Sequence, residues 1–202
     1  SITNIRQARI GTIGKKLPNI EVRLADTNEQ GVGELQVRGP IVMKGYFKNL
    51  TATREAFDGD WLRTGDLASI DAEGFLTIRG RKKALIVNRE GKNIYPEEVE
   101  NVIARDPLIA DVIVIGYTVG NVPGERVGAI ITPDLEAFAA AHDGAEPPWP
   151  VIEQLVRDRV RAQCACLTDY KHPRKIIVQC EPLERTSIQK VRRCVYQGKL
   201  NE

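Results

Sequence analysis

Histidine and cysteine, which supply many metal and redox sites, are scarce in this sequence. Two histidines and four cysteines occur in 202 residues. The cysteines begin with a C-x-C pair, Cys164 and Cys166, and their uneven spacing matches no zinc-binding pattern. We therefore predict no metal site, and we expect reduced thiols, as is usual in a cytosolic protein.

Long apolar runs and a large excess of one charge are also absent. No run approaches the roughly 18 apolar residues of a membrane-spanning helix, and the first residues, SITNIRQARIG, contain no apolar signal core. The 29 basic and 27 acidic residues give a formal net charge of +2. We therefore expect a cytoplasmic protein, at most peripheral to a membrane, that does not bind nucleic acid through a global basic field.

Several short motifs with a known chemical role are missing as well. The sequence contains no G-x-G-x-x-G, no G-x-x-x-x-G-K-[ST], no H-E-x-x-H and no G-x-S-x-G. These patterns mark dinucleotide sites, phosphate loops, zinc proteases and serine hydrolases. The remaining candidates for chemistry are charged side chains at turns.

The first part of the chain has the alternating pattern of β-strands. NIEVRLAD places Ile20, Val22 and Leu24 on one face, GELQVRG repeats the alternation, and DAEG joins two apolar runs into a hairpin. The segment NLTATREAF predicts a short helix with Asn49 or Thr51 as its cap. These patterns predict a small antiparallel β-rich subdomain over residues 1–82.

The second part of the chain alternates between strands and helices. The predicted strands are ALIV, IADVIVIGY, RVGAIITP and RKIIVQC; the predicted helices are YPEEVENVIARDP, LEAFAAAH, VIEQLVRDRVRAQC and SIQKVRRCVYQGKL. We therefore predict an α+β fold in which a hinge near Lys83 leads into a compact domain, residues 83–202, with a central sheet and flanking helices.

Two charged side chains are candidates for binding a nucleotide. Asp66 follows a predicted Thr-Gly turn in WLRTGDL, and its two acceptor oxygens suit the vicinal hydroxyls of a ribose. Arg81 follows Gly80 at the end of the next strand, and its guanidinium fork can bind hydroxyl or phosphate oxygens. Each residue also has a simpler interpretation: turn stabilisation for Asp66 and a solvated basic turn for Arg81 and its neighbours.

Four blocks of the sequence resemble the adenylate-forming superfamily, in the order found there. They are GTIGKKLPNIEVRLAD, GELQVRGPIVMKGYFKN, DGDWLRTGDLASIDAEGFLTIRGRKKALIVNREGKNIYPEEVE and ERTSIQKVRR. The superfamily includes acyl-CoA synthetases, firefly luciferase and the adenylation domains of peptide synthetases, and this chain is most similar to medium- and long-chain fatty acyl-CoA ligases. The resemblance implies that ATP activates a carboxylate as an acyl-adenylate, which then forms a thioester with coenzyme A.

The resemblance also implies roles for individual residues. Asp66 and Arg81 would hold the ribose of ATP, and Lys83 would be the hinge between the two domains. Gly91 would approach the catalytic centre beside the pantetheine channel of coenzyme A. Lys190 would be the catalytic lysine, which bridges the substrate carboxylate and the α-phosphate during adenylation.

The motif around Lys190 departs from the family pattern Pro-[Lys/Arg]-Thr-x-x-Gly-Lys. Glu184 stands in place of the proline and Gln189 in place of the glycine. A further departure follows the hinge, where Ala84 replaces a common acidic residue. We expect these changes to alter loop geometry and hinge energetics while the assignment of Lys190 stands.

The family's phosphate-binding loop, acyl pocket and magnesium-supporting acid have no counterpart in this sequence. We therefore expect a C-terminal portion of a longer enzyme that is inactive alone, with Mg²⁺ held by residues outside this chain. Its partners would be a fatty acid or another carboxylate, ATP and coenzyme A.

Two alternatives remain open at this point. A related ligase would hand the adenylate to an acyl carrier protein, and a binding module would use GRKK, YKHPRK and KVRRC as a basic nucleic-acid surface. The near-neutral charge and the lack of interleaved aromatic residues argue against nucleic acid.

Overall fold

The computed structural model describes residues 9–120, 122–142, 144–187 and 189–201. The chain divides into two compact units, of which the first ends at Lys83 and the second begins at Ala84. This division lies one residue after the domain boundary expected from the sequence. The two units are described separately below.

The first unit is an antiparallel β-sheet with one short helix. Its strands are β1 (Gly14–Lys15), β2 (Glu21–Ala25), β3 (Gly33–Arg38), β4 (Phe57–Asp58), β5 (Trp61–Ile70) and β6 (Phe75–Arg81), and helix α1 is Leu50–Ala56. The strands lie in the order β1-β6-β5-β3-β2, with β4 paired to β5. The predicted antiparallel β-rich subdomain is confirmed.

Local sequence signals explain several features of this sheet. The alternation predicted for β2 and β3 is present, because Val22 and Leu24 pack against a buried cluster that contains Leu35. The Asn49 side chain caps α1 by accepting a hydrogen bond from the Ala52 amide at 2.9 Å. The predicted hairpin around DAEG is also present, with β5 and β6 antiparallel.

The second unit combines a central sheet with helices. Its strands are β7 (Ile86–Val87), β8 (Asn93–Ile94), β9 (Ile109–Tyr117), β10 (Arg126–Pro133) and β11 (Lys175–Val178), and its helices are α2 (Pro96–Ile103), α3 (Leu135–Ala141), α4 (Trp149–Cys164) and α5 (Arg193–Tyr196). Strand β10 lies between β9 and β11, antiparallel to the first and parallel to the second, while β7 and β8 form a separate hairpin. The predicted α+β class is confirmed.

The central sheet of the second unit is covered on both faces. Successive side chains of a strand point to opposite faces, and on β9 Val112 and Val114 join one buried cluster while Ile113 and Ile115 join another. The first cluster includes the buried stripe of α4, as its 3.6-residue apolar period predicts. Its members on α4 are Ile152, Val156, Val160 and Cys164.

Three local predictions are wrong. Asp66 does not follow a turn, because Thr64 and Gly65 lie inside the continuous strand β5. The segment ALIV forms a strand only at Ile86–Val87, since residues 82–84 turn as a 3-10 helix.

The predicted C-terminal helix is also much shorter than expected. Among the described residues of SIQKVRRCVYQGKL, α-helix is confined to α5, Arg193–Tyr196. The residues before it form a loop closed by an antiparallel bridge between Arg185 and Val191. Hydrogen bonds across this loop replace the first helical turns.

The four cysteines are free thiols. Cys164 is buried on α4, and burial raises the pKa of its thiol to about 11, whereas Cys166, Cys180 and Cys194 are exposed. In the described part of the chain, no helix is long and apolar enough to cross a membrane.

Candidate functional site

Asp66 and Arg81, the predicted nucleotide-binding pair, are neighbours in the first unit. They occupy paired positions on β5 and β6. The Arg81 Nη1 atom donates a hydrogen bond to Asp66 Oδ1 at 2.5 Å, with the two side chains 63% and 30% exposed. The structure thus brings together the two side chains that the sequence singled out separately.

A bulge in β5 fixes the position of Asp66. On β3, Gln36 pairs with Arg63 and Glu34 pairs with Leu67, so Leu35 faces the residues from Thr64 to Asp66. The Thr64 hydroxyl donates to the Leu35 carbonyl at 2.8 Å and accepts from the Asp66 amide at 3.1 Å.

Gly65 supplies the backbone conformation that this bulge needs. Its φ is +71°, in the left-handed region that glycine adopts without steric cost. The Thr-Gly-Asp sequence therefore holds a carboxylate on a rigid strand, although by a bulge and not by the predicted turn.

The Asp66–Arg81 pair retains binding capacity. Within the described residues, no hydrogen bond reaches Asp66 Oδ2, and only one guanidinium nitrogen of Arg81 is engaged. An acceptor oxygen and several N–H donors therefore lie side by side at a half-exposed position. This set of groups can accept from, and donate to, a pair of vicinal hydroxyls.

The three consecutive basic residues after Gly80 differ in their contacts. Arg81 pairs with Asp66, whereas the Lys82 ammonium contacts Glu34 Oε2 at 2.8 Å and Asp26 Oδ2 at 3.4 Å. The Glu34 side chain is only 6% exposed, and its hydrogen bond is the main reason that the pKa of Lys82 is raised.

Lys83, the candidate hinge residue, is exposed and is the last residue of the first unit. Among the described residues, no carboxylate forms an ion pair with it. Lys82 thus anchors the 3-10 turn at residues 82–84 to Glu34 on β3. Sequence reasoning missed Glu34, which stands in an ordinary strand pattern with no signal of an ionic partner.

Gly91 lies in the tight turn between β7 and β8. Its amide donates to the Asn88 carbonyl at 3.0 Å, and the Asn88 side chain accepts from the amides of Glu90 and Lys92 at 3.0 and 2.8 Å. Gly91 has φ +72°, and a Cβ added there would meet no atom within 4 Å. The turn conformation alone therefore accounts for a glycine here, and the space beside it is open.

The backbone at a second glycine, Gly124, packs against this turn. Gly124 has φ +82°, and a Cβ added to it would lie 2.5 Å from the Arg89 Cα atom. The next residue, Glu125, donates its amide to the Val87 carbonyl at 2.9 Å. The β7–β8 hairpin therefore rests directly on the backbone at residues 124–125, a contact that the sequence alone did not reveal.

Lys190, the candidate catalytic lysine, lies exposed in the loop closed by Arg185 and Val191. Its backbone is bound twice by Thr186, whose amide donates to the Lys190 carbonyl at 2.8 Å and whose hydroxyl accepts from the Lys190 amide at 3.2 Å. In the part of the loop that the structure describes, no carboxylate pairs with the Lys190 ammonium. The loop therefore holds the backbone and leaves the charged group available.

Gln189 takes the conformation that the family's glycine would favour. Its φ is +63°, one of few positive values at non-glycine residues in the described chain. A side chain in this region is sterically disfavoured, so glutamine at this position adds strain to the loop.

Comparison with known proteins assigns the chain to a protein family. The sequence model of the AMP-binding enzyme C-terminal domain matches residues 98–190. The chain belongs to the adenylate-forming enzyme superfamily. The resemblance stated from the sequence blocks is thereby confirmed.

Two curated relatives illustrate the similarity within this superfamily. The chain is 44% identical over 138 residues to the long-chain-fatty-acid–CoA ligase FadD15 of Mycobacterium tuberculosis, covering 68% of this chain and 21% of that protein. It is 34% identical over 193 residues to the indoleacetate–CoA ligase of Aromatoleum aromaticum, covering 93% of this chain and 34% of that protein. The chain thus spans between about a fifth and a third of these relatives.

A solved structure confirms the fold. The o-succinylbenzoate CoA synthetase of Bacillus subtilis, in complex with its acyl-adenylate intermediate, superposes with a TM-score of 0.72 at 30% identity. The match covers 94% of this chain and 36% of that structure. Both units of the present chain are therefore built from elements found in this superfamily.

Proposed function

We propose that the protein takes part in the ATP-dependent ligation of a fatty acid to coenzyme A. The main observation behind the proposal is the pairing of Asp66 with Arg81 on neighbouring strands. Arg81 lies two residues before the end of the first unit. The similarity to a long-chain-fatty-acid–CoA ligase supports the choice of substrate class. We place the enzyme in the cytoplasm, where it would meet its fatty acid either free or at a membrane surface.

In the first half-reaction, a carboxylate oxygen of the substrate attacks the α-phosphorus of ATP, and pyrophosphate leaves. Asp66 accepts hydrogen bonds from the ribose hydroxyls, and Arg81 donates to the same sugar. The Lys190 ammonium lies between the carboxylate and the α-phosphate, where it offsets the negative charge that increases in the transition state. A flexible ammonium with three donors suits this bridging role.

In the second half-reaction, the sulfur of coenzyme A attacks the acyl carbonyl carbon, and AMP leaves. The turn that carries Gly91 would lie beside the pantetheine arm, where its open side leaves room for a ligand. Lys83 would absorb the backbone rotation between the two half-reactions. Its lack of an ionic partner among the described residues, next to the anchored Lys82, supports this assignment.

Magnesium is not assigned to this chain. In the described residues, no group of three or more histidine, cysteine, aspartate or glutamate side chains could hold a metal ion. The role proposed for this chain is therefore limited to holding the ribose, supplying the lysine and approaching the thiol.

The contacts of the basic residues disfavour the nucleic-acid alternative. Six of the nine lysine and arginine side chains in the three basic segments pair with acids inside their own unit, so most of the positive charge of these segments is compensated. These pairs are Arg81–Asp66, Lys82–Glu34, Lys171–Glu98, Arg174–Asp169, Arg192–Glu184 and Arg193–Glu100. Binding to generic RNA with a steep salt dependence would reverse this conclusion.

The proposal is tested with the complete gene product and a panel of acids. We expect pyrophosphate exchange that depends on a long-chain fatty acid, followed by consumption of free coenzyme A; indoleacetate serves as the comparison acid. Transfer to the phosphopantetheine of an acyl carrier protein, with no use of free coenzyme A, would instead support the carrier-dependent ligase. Absence of carboxylate-dependent exchange with every acid would contradict the proposal.

A further inference from the structure

We propose that Arg185 is a positioning residue for Lys190, because it fixes the peptide bond that precedes the catalytic lysine. The inference rests on the function proposed for Lys190 and extends it to a residue that does not itself reach the substrate. It is carried by contacts inside the second unit alone.

The two branches of the Arg185 guanidinium hold two different parts of the second unit. Nη1 donates to the carbonyl oxygen of Gln189 at 2.8 Å, and Nη2 forms an ion pair with Asp111. Asp111 lies on β9 of the central sheet, and its side chain is only 18% exposed. Arg185 thus ties the carbonyl of the Gln189–Lys190 peptide to a rigid strand.

The backbone of Lys190 has few other restraints. Thr186 binds its amide and its carbonyl, but Thr186 belongs to the same loop and does not connect Lys190 to the central sheet through these bonds. Among the described contacts of residues 186–190, the Arg185 side chain makes the connection to the central sheet. The next residue, Val191, packs against the buried cluster that contains Ile113 and Ile115. The Arg185 contact therefore restrains the base of the Lys190 side chain on the side that precedes it in the chain.

The conformation of Gln189 increases the need for such a restraint. Its φ of +63° is disfavoured for a residue with a side chain, so the peptide after it would relax if it were released. The Arg185 hydrogen bond holds the carbonyl of this residue in place. Arg185 therefore compensates locally for the loss of the family's glycine.

A small displacement of Lys190 is expected to have a large kinetic effect. The ammonium acts at the end of a flexible stem, and a misplacement of about 1 Å can reduce a rate roughly a hundredfold. Loss of the Arg185 contacts should therefore lower the rate of adenylation and not the affinity for ATP. Thioester formation does not use Lys190 and should be spared.

The test uses Arg185→Met in the complete gene product, with Arg192→Met as the matched control. Arg192 lies in the same segment and pairs with Glu184, and none of its described hydrogen bonds goes to the Gln189–Lys190 peptide. We expect Arg185→Met to lower the kcat of pyrophosphate exchange by about tenfold to a hundredfold, with KM for ATP within about twofold. Arg192→Met should stay within about twofold of the parent in both.

A double variant separates positioning from independent effects. If Arg185 acts through Lys190, the Lys190→Ala/Arg185→Met protein should be no slower in adenylation than Lys190→Ala alone. An additive loss in the double variant, or an equal loss of both half-reactions in a folded Arg185→Met protein, would overturn the inference. If Arg185→Met does not fold, Asp111→Asn replaces it, with a smaller selective loss of adenylation expected and an equal loss of both half-reactions overturning the inference.

A different set of rates is expected if the role proposed for Lys190 is itself wrong. If Lys190→Ala leaves adenylation unchanged, Lys190 is not the catalytic lysine, and the role of Arg185 is rejected with it. If Lys190→Ala abolishes adenylation while Arg185→Met and Asp111→Asn leave it unchanged, the proposed function stands and the positioning role is wrong.

Discussion

Asp66 and Arg81 face each other across strands β5 and β6, and their side chains are joined by a hydrogen bond of 2.5 Å. A half-exposed ion pair of this kind contributes only about 0–1 kcal/mol to stability. Its removal should therefore disturb the fold very little. A large effect on nucleotide binding, if measured, would have to come from contacts with the nucleotide.

The first prediction concerns Asp66→Asn. The amide keeps one acceptor oxygen and the shape of the side chain but loses the charge and the second acceptor. We expect KM for ATP in the exchange assay to rise about tenfold or more, equivalent to about 1.4 kcal/mol of binding, with less than about 1 kcal/mol lost from the free energy of unfolding. Asp58→Asn, which removes another exposed pair on the same sheet, with Arg23, is the control; an equal rise in KM for both variants would contradict the ribose assignment.

The second prediction separates two reasons for glycine at position 91. Asparagine tolerates positive φ better than other side chains, so Gly91→Asn should preserve the turn and the free energy of unfolding within about 1 kcal/mol. If the backbone at Gly91 must approach the pantetheine arm, thioester formation from supplied acyl-adenylate should fall about tenfold or more while pyrophosphate exchange is unchanged. Normal thioester formation by a folded Gly91→Asn protein would show that the glycine serves only the turn.

The third prediction concerns the strain at Gln189. Because its φ is +63°, Gln189→Gly should raise the free energy of unfolding by about 0.5–1 kcal/mol, the relief of steric strain being partly offset by a more flexible unfolded chain. Gln154→Gly, in the interior of α4, should instead lower it by about 1 kcal/mol. Urea unfolding measures both; a destabilised Gln189→Gly protein would show that the loop does not require the left-handed conformation.

The fourth prediction is that the free energy of unfolding depends on pH through the Glu100 carboxyl. Burial raises the pKa of the Glu100 carboxyl, against the opposing effects of Arg193 and of the Val114 amide. Arg193 donates to Glu100 Oε2 at 2.6 Å, and the Val114 amide donates to Oε1 at 2.7 Å. The net rise means that the folded state binds this proton more tightly than the unfolded state does.

The sign of the effect follows from proton linkage. The stability contributed by protonated Glu100 is fully present below its unfolded pKa, near 4.5, and is lost as pH rises through the higher folded value. Unfolding free energies measured from pH 4 to pH 7 should therefore fall, relative to those of Glu100→Gln, as pH rises. A difference between the parent and Glu100→Gln that is flat across this range would contradict the prediction.

The fold was largely predictable because its signals are local and periodic. Alternation predicts β2 and β3, and the apolar period of α4 predicts a stripe of Ile152, Leu155, Val156 and Val160. Three of these side chains are buried, and Leu155 is partly buried against the same cluster. The errors occurred where side chains or distant segments determine the backbone. No pattern signals that the Thr64 hydroxyl completes the ladder beside Leu35 or that Arg185 ties the Lys190 loop to β9, so a bulge was predicted as a turn and a loop as a helix.

The candidate site was predictable to a different extent. Asp66, Arg81, Lys83, Gly91 and Lys190 were named from motifs that resemble the superfamily, and their roles remain predictions. The residues that support them were not found from the sequence, because a partner such as Glu34 for Lys82, or Gly124 beneath the Gly91 turn, is far away along the chain. Such partners can be identified only from the three-dimensional structure, in which strand pairing brings them together.

The most direct test of the account measures the two half-reactions separately in Lys190→Ala and in Gly91→Asn, each in the complete gene product. The account predicts opposite patterns: Lys190→Ala loses pyrophosphate exchange and keeps thioester formation from supplied acyl-adenylate, whereas Gly91→Asn keeps exchange and loses thioester formation. If Lys190→Ala retains pyrophosphate exchange at the parent rate, or if both variants lose both half-reactions equally while remaining folded, the assignment of one residue to each half-reaction is wrong.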